Sequence, residues 1–179
     1  MVKIYTKTGD QGITGLYDGS RVLKREPIFD VLGTIDELSS HIGLLRFYIK
    51  NDDYKIILTL IQQNLIHVCS VIATPNPREG LVLHDVTKAE VLEQHIDEMT
   101  KKLEPLTQLI IVGGRTLEES QAHVCRAVAR RAEREFLKAE IQHEDIQRYL
   151  NRLSDFFFTL ARLCTSPPFS LPTSLRSCV

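Results

Sequence analysis

Residues Leu117–Phe136 read LEESQAHVCRAVARRAEREF, and this stretch decides the fold. At helical pitch Leu117, Val124, Cys125, Val128, Ala132 and Phe136 fall on one side, and His123, Arg126, Arg130 and Glu133 on the other. Thr116 with Glu119 three residues on has the spacing of a capping box, and the acidic first turn suits the helix dipole. The segment is therefore an amphipathic helix with a charged face. That face has two readings. Arg130 and Glu133 can be an ordinary solvated ion pair, or the arginines one turn apart can grip neighbouring phosphate oxygens with their planar forks.

Working outward, the same spacing recurs. Ile28, Val31, Leu32, Ile35, Leu38, Ile42, Leu45 and Ile49 form an apolar stripe from Pro27 onward. Thr34 and Glu37 make a second capping box, so the helix has a possible restart near Gly33. Asp36 stands at the edge of the dry side, where it is either a site carboxylate or an ordinary first-turn acid. A further helix is expected over about Asp53 to Ala73, closed by Pro75 and Pro77. Another is expected from Thr87 to about Leu103, opened by Thr87 and Glu90. The last runs from about Asp145 to Cys164, with Ile146, Leu150, Leu153, Phe157 and Leu160 inward and Arg148, Asn151, Arg152, Asp155, Thr159 and Arg162 opposite. Phe156, Phe157 and Phe158 cannot all point inward, so at least one is expected to meet a partner subunit.

Residues 1–26 differ from this. Gly9, Gly12, Gly15 and Gly19 alternate with Thr6, Lys7, Thr8, Asp10 and Thr14. Such a stretch can turn backbone N–H groups toward an anion, or be a flexible arm. It is neither a Walker loop nor a dinucleotide fingerprint. The expected fold is all-α: a five-helix up-and-down bundle with an irregular glycine-rich N-terminal arm, in one domain of 179 residues. The arm spans 1–26, the bundle 27–164 and a flexible tail 165–179.

The net charge of −1 gives no electrostatic footprint for nucleic acid or an anionic membrane. Cys69, Cys125, Cys164 and Cys178 lack metal-ligand spacing and read as reduced thiols. Charges interrupt the apolar runs, so neither a membrane span nor a signal peptide is expected. The expected setting is the cytoplasm.

Four motifs in order, TKTGDQGITGL with RVLK, GTIDELSSHIG, HVCRAVARRAERE and YLNRLSD, resemble the helical-bundle, homotrimeric ATP:cob(I)alamin adenosyltransferases over Lys3 to Arg162. The resemblance implies ATP and a corrinoid as substrates, Mg²⁺ with the nucleotide, and an active site between neighbouring subunits. It implies that Thr6, Lys7, Thr8, Gly9, Thr14 and Gly15 wrap ATP, with Lys24 on phosphate. Arg130, Glu133, Arg134 and Asn151 match the remaining nucleotide contacts. Asp36 and Arg126 match a carboxylate–arginine pair joining subunits, and with Arg130 they are the expected catalytic residues. No protein metal ligands are expected. A reductase and a cobalamin-dependent mutase are the partners the resemblance suggests. This sequence departs from the family at Leu109–Gly114, LIIVGG, where a Phe-Ile-Leu-Pro-Gly-Gly type of segment is usual. The family's Phe pushes the lower ligand off cobalt, so Leu109 is the expected corrin-facing wedge, with less area and rigidity. Two rivals are an ATP-using kinase or hydrolase, which would release ADP and phosphate, and a non-enzymatic corrinoid carrier with a merely solvated arginine face.

Overall fold

The computed structural model describes residues 3–77, 79, 85–107 and 109–165. Apart from Thr165, the expected tail over 165–179, and Cys178 within it, lies outside the described residues. Five helices follow a short hairpin: β1 (Ile13–Gly15), β2 (Arg21–Leu23), α1 (Pro27–Tyr48), α2 (Asp52–Ile72), α3 (Ala89–Thr100), α4 (Leu117–Lys138) and α5 (Glu144–Leu163). The two strands pair antiparallel, Thr14 opposite Val22, so the arm contains an ordered ribbon as well as loop.

Local chemistry explains the helix ends. Pro27 opens α1, where its missing N–H would have no helical acceptor. The helix then runs straight through Gly33, because Thr34 Oγ1 turns back to donate to the Asp30 carbonyl at 2.6 Å. The second capping box is therefore not formed, and Glu37 pairs instead with Arg131 of α4. Asn51 caps α2 by accepting from Tyr54 N at 3.2 Å. The box expected at Thr87 fails too: the Thr87 N–H donates to Asn64 Oδ1 of α2 at 2.7 Å, and α3 starts at Ala89. Thr116 does cap α4, accepting from Glu119 N at 3.0 Å. Glu119 completes the box one residue early, accepting from Arg115 N at 3.1 Å rather than from Thr116.

In space the helices follow the order α2, α1, α4, α5, α3. α4 is thus flanked by α1 and α5, and Ala122, Cys125, Ala129 and Ala132, all fully buried, let both neighbours approach. A helix covered on two sides buries a wider arc than one apolar stripe. Hence Glu119, Gln121 and His123 are buried, whereas Leu117 and Val124, expected inward, are exposed. Thr159, expected outward on α5, is also buried. Phe156 and Phe157 pack edge to face inside the core. Phe158 is the half-buried one of the three, its edge against His123.

One expectation about apolar runs needs correction. From Ile56 to Ile72 there is no Asp, Glu, Lys or Arg. By length and composition α2, with 21 residues and an 18-residue window of mean hydropathy 1.4, could cross a membrane. Its six buried residues, Asn64 among them, pack within the bundle. Its outward Ile56, Leu60 and Ile66 remain uncovered in the single chain.

Candidate active site

The first loop of the arm is shaped by two backbone inversions. Lys7 (φ 60°) and Gly12 (φ 77°) both adopt left-handed conformations, which glycine tolerates freely and lysine only under constraint. Between them Gly12 N donates to Gly9 O at 3.2 Å, and Lys24 N to Gly12 O at 2.8 Å. The Lys24 side chain lies across Gly9: a Cβ at that position would meet Lys24 Nζ at 3.1 Å. Thr6 and Thr8 share a hydroxyl contact of 2.9 Å, and Arg21 donates to the Thr8 carbonyl at 2.9 Å. An ammonium, two hydroxyls and turned backbone thus gather around one tight loop, a donor set suited to phosphate. Thr14 and Gly15 lie on β1. The ribbon is anchored to the end of α2 by Tyr17 N on Ala73 O at 2.9 Å. Buried Asp18 adds bonds from Ser20 N at 2.8 Å and from Asn76 N at 3.3 Å.

The second group sits on α4 and α5. Asn151 Nδ2 donates to Glu133 Oε1 at 2.7 Å, joining the helices. Beside this bond lies a cleft of about 450 Å³ lined by Glu133, Glu144, Gln147, Arg148 and Asn151. Arg130 is exposed, and Arg134 Nη1 donates to its carbonyl at 3.3 Å. The structure thus joins Glu133 to Asn151 across the two helices, while Arg130 and Arg134 stand exposed one turn apart on α4. Among the described residues no hydrogen bond or ion pair links the arm to α4 or α5.

Asp36 is exposed at the rim of a mainly apolar pocket of about 400 Å³ between α1 and α2, shared with Tyr17, Leu32, Leu65 and Cys69. Burial, with a smaller push from the Asp36 charge, raises the Cys69 thiol to about 11, so it stays protonated and un-nucleophilic at neutral pH. Among the described residues Asp36 forms no ion pair with Arg126. Arg126 Nε is buried with no hydrogen-bond partner among the described residues. Leu109 is wholly exposed in a segment without regular structure.

The profile of the cobalamin adenosyltransferase family matches residues 4–164. The chain belongs to this family. The human corrinoid adenosyltransferase MMAB is 42% identical over 170 residues, covering 89% of this chain and 68% of the relative. The cobalamin adenosyltransferase of Cupriavidus metallidurans is 39% identical over 165 residues, covering 90% of this chain and 87% of that one. Among solved structures, a variant PduO-type ATP:corrinoid adenosyltransferase from Lactobacillus reuteri, complexed with cobalamin and ATP, superposes with a TM-score of 0.84 at 32% identity. That match covers 90% of this chain and 93% of the other.

Sequence reasoning missed two features at the start of α4. The buried Glu119–Arg115 ion pair was hidden because its spacing also spells a helix cap. His123, on the face expected to be charged, is buried with both ring nitrogens unpartnered among the described residues. The signal for it was the double flanking of α4, which no single-helix periodicity carries.

Proposed function

We propose that this chain transfers the 5′-deoxyadenosyl group of ATP to the cobalt of reduced cobalamin, forming adenosylcobalamin and releasing triphosphate. The observation that carries the reading is the presence of two separate polar half-sites, the Lys24–Gly9 loop on the arm and the Arg130–Glu133–Asn151 group on α4 and α5. In a homotrimer the arm of one copy meets the helices of the next, and ATP is enclosed between them. Cob(I)alamin supplies the electron pair. A cobalt–carbon bond forms at C5′ as the carbon–oxygen bond breaks, and triphosphate departs with that bond's electrons.

The protein supplies no nucleophile; its work is alignment and charge. Lys7, Lys24 and Arg130 neutralise the leaving polyphosphate, while Thr6, Thr8, Gly9, Thr14 and Gly15 shape its cradle. Glu133 and Asn151 fix the α4–α5 wall, and Arg134 extends it. Among the described residues no three His, Cys, Asp or Glu gather as metal ligands. Mg²⁺ would enter with ATP, and the charge it would supply adds to that of Lys7, Lys24 and Arg130. The apolar pocket beside Asp36 suits a corrin edge, and Leu109 supplies an apolar contact from the segment before α4. We place the enzyme in the cytoplasm, with a corrinoid reductase upstream and a cobalamin-dependent mutase downstream.

Mixing the protein with ATP, Mg²⁺ and chemically reduced cobalamin should give the adenosylcobalamin spectrum and one triphosphate per turnover. Arg130→Ala and Lys7→Ala should each lower kcat/KM for ATP by at least tenfold, the scale of a lost charge-assisted phosphate contact. Release of ADP and phosphate would overturn the reading in favour of a kinase or hydrolase. Corrinoid binding without turnover, with nucleotide affinity unchanged in Arg130→Ala, would favour a carrier.

A further inference from the structure

Between α3 and α4 the described residues, 101–107 and 109–116, form no helix or strand, yet both ends of this stretch are fastened. At the first end Arg162 Nη2 donates to the Glu104 carbonyl at 2.5 Å. At the other, Arg115 Nη1 donates to the Thr165 carbonyl at 3.3 Å. Glu119 holds Arg115 twice, through its backbone N–H at 3.1 Å and its guanidinium at 3.4 Å. Ser120 Oγ accepts from Gly114 N at 3.0 Å.

Arg162 and Thr165 belong to the same end of α5, so the segment is a loop strapped twice to one place. The Glu119 side chain is only 1% exposed, and a carboxylate is kept that dry only where paired and hydrogen-bonded. Between the straps Leu106, Leu109, Ile111 and Val112 stand exposed. A loop that is apolar outward and fixed at both feet is arranged to present that surface to an apolar partner.

We propose that Glu119 and Arg162 are positioning residues, which hold residues 104–107 and 109–115 so that Leu109 and its described neighbours bear on the corrinoid. This rests on the adenosyltransferase reading above. Neither residue touches the reacting atoms; each acts through the loop. ATP is held elsewhere, by the arm and the α4–α5 wall. Loosening either strap should therefore affect the corrinoid half of the reaction selectively.

The test compares Glu119→Gln, Arg162→Gln and Ser120→Ala with the unmodified protein, using chemically reduced cobalamin and Mg²⁺–ATP. Each variant should lower kcat/KM for cobalamin at least fivefold while the Kd for ATP stays within twofold. The visible spectrum of bound cob(II)alamin should shift toward that of the free corrinoid. Should Glu119→Gln fail to fold, Arg162→Gln tests the strap at Glu104 and Ser120→Ala tests the other end of the segment, through its bond from Gly114 N. Unmodified kinetics in both of those would overturn the proposal, as would parallel losses for ATP and cobalamin. A parent protein that forms no adenosylcobalamin would sink the functional reading instead.

Discussion

At His123 two ring nitrogens sit in a dry setting with no partner among the described residues, and the ring edge meets Phe158. Burial depresses its pKa below the ordinary 6.5, and the Arg126 charge adds to the effect. Glu119 opposes them and Arg115 reinforces them more weakly. The folded protein therefore holds a neutral imidazole where the unfolded chain takes up a proton. Below pH 6.5 the unfolded state binds more protons than the folded one, so stability falls as pH drops through that value toward the depressed folded pKa. Urea unfolding at pH 7.5 and pH 5.5 should show a loss in the parent protein that His123→Phe largely removes. An equal loss in both would assign the acid sensitivity to other groups.

The capping chemistry of α4 belongs to the element scale, and it shows what periodicity can and cannot reveal. Three Thr-x-x-Glu spacings invite the same reading, and only Thr116–Glu119 closes a helix start. Thr34 sits inside a helix and bonds backward, while the backbone N–H of Thr87 is taken by Asn64 across the bundle. Spacing cannot distinguish these, because the deciding partner lies on another helix or in the preceding turn. The five helices were legible since each carries its own apolar stripe. The burial of Glu119 and His123 was not, since it depends on α4 having neighbours on two sides. Likewise the Glu133–Asn151 bond joins residues on different helices, and only resemblance to a family pointed to both. Thr116→Ala removes the side-chain acceptor of the Glu119 N–H at this helix start. It should cost about 1 kcal/mol in chemical denaturation, without changing the slope of the transition.

For the whole molecule, the strongest demand for a second copy comes from Arg126 and Asp36. Both project from helices that pack together, yet they do not pair within one chain, and Arg126 Nε is buried without an acceptor among the described residues. An unsatisfied buried donor costs on the order of 1–3 kcal/mol, and although that atom is closed to an outside acceptor, Arg126 as a whole is only half-buried, which leaves the side chain accessible to a carboxylate of a second copy. Ile56, Leu60 and Ile66 of α2 and Phe47 of α1 are also exposed, an apolar area that an adjoining subunit would cover. The homotrimer proposed above meets both demands if Asp36 of one copy reaches Arg126 of the next. Sedimentation should then give three times the chain mass for the parent protein. Asp36→Arg would set two guanidinium groups against each other at every interface and should shift the mass toward the monomer, with loss of turnover. Adding Arg126→Asp restores opposite charges in swapped places and should recover assembly, a coupling that a double-mutant cycle isolates from the effect of either change alone. If the single variants assemble normally, or the swap fails to rescue them, the pair does not join subunits.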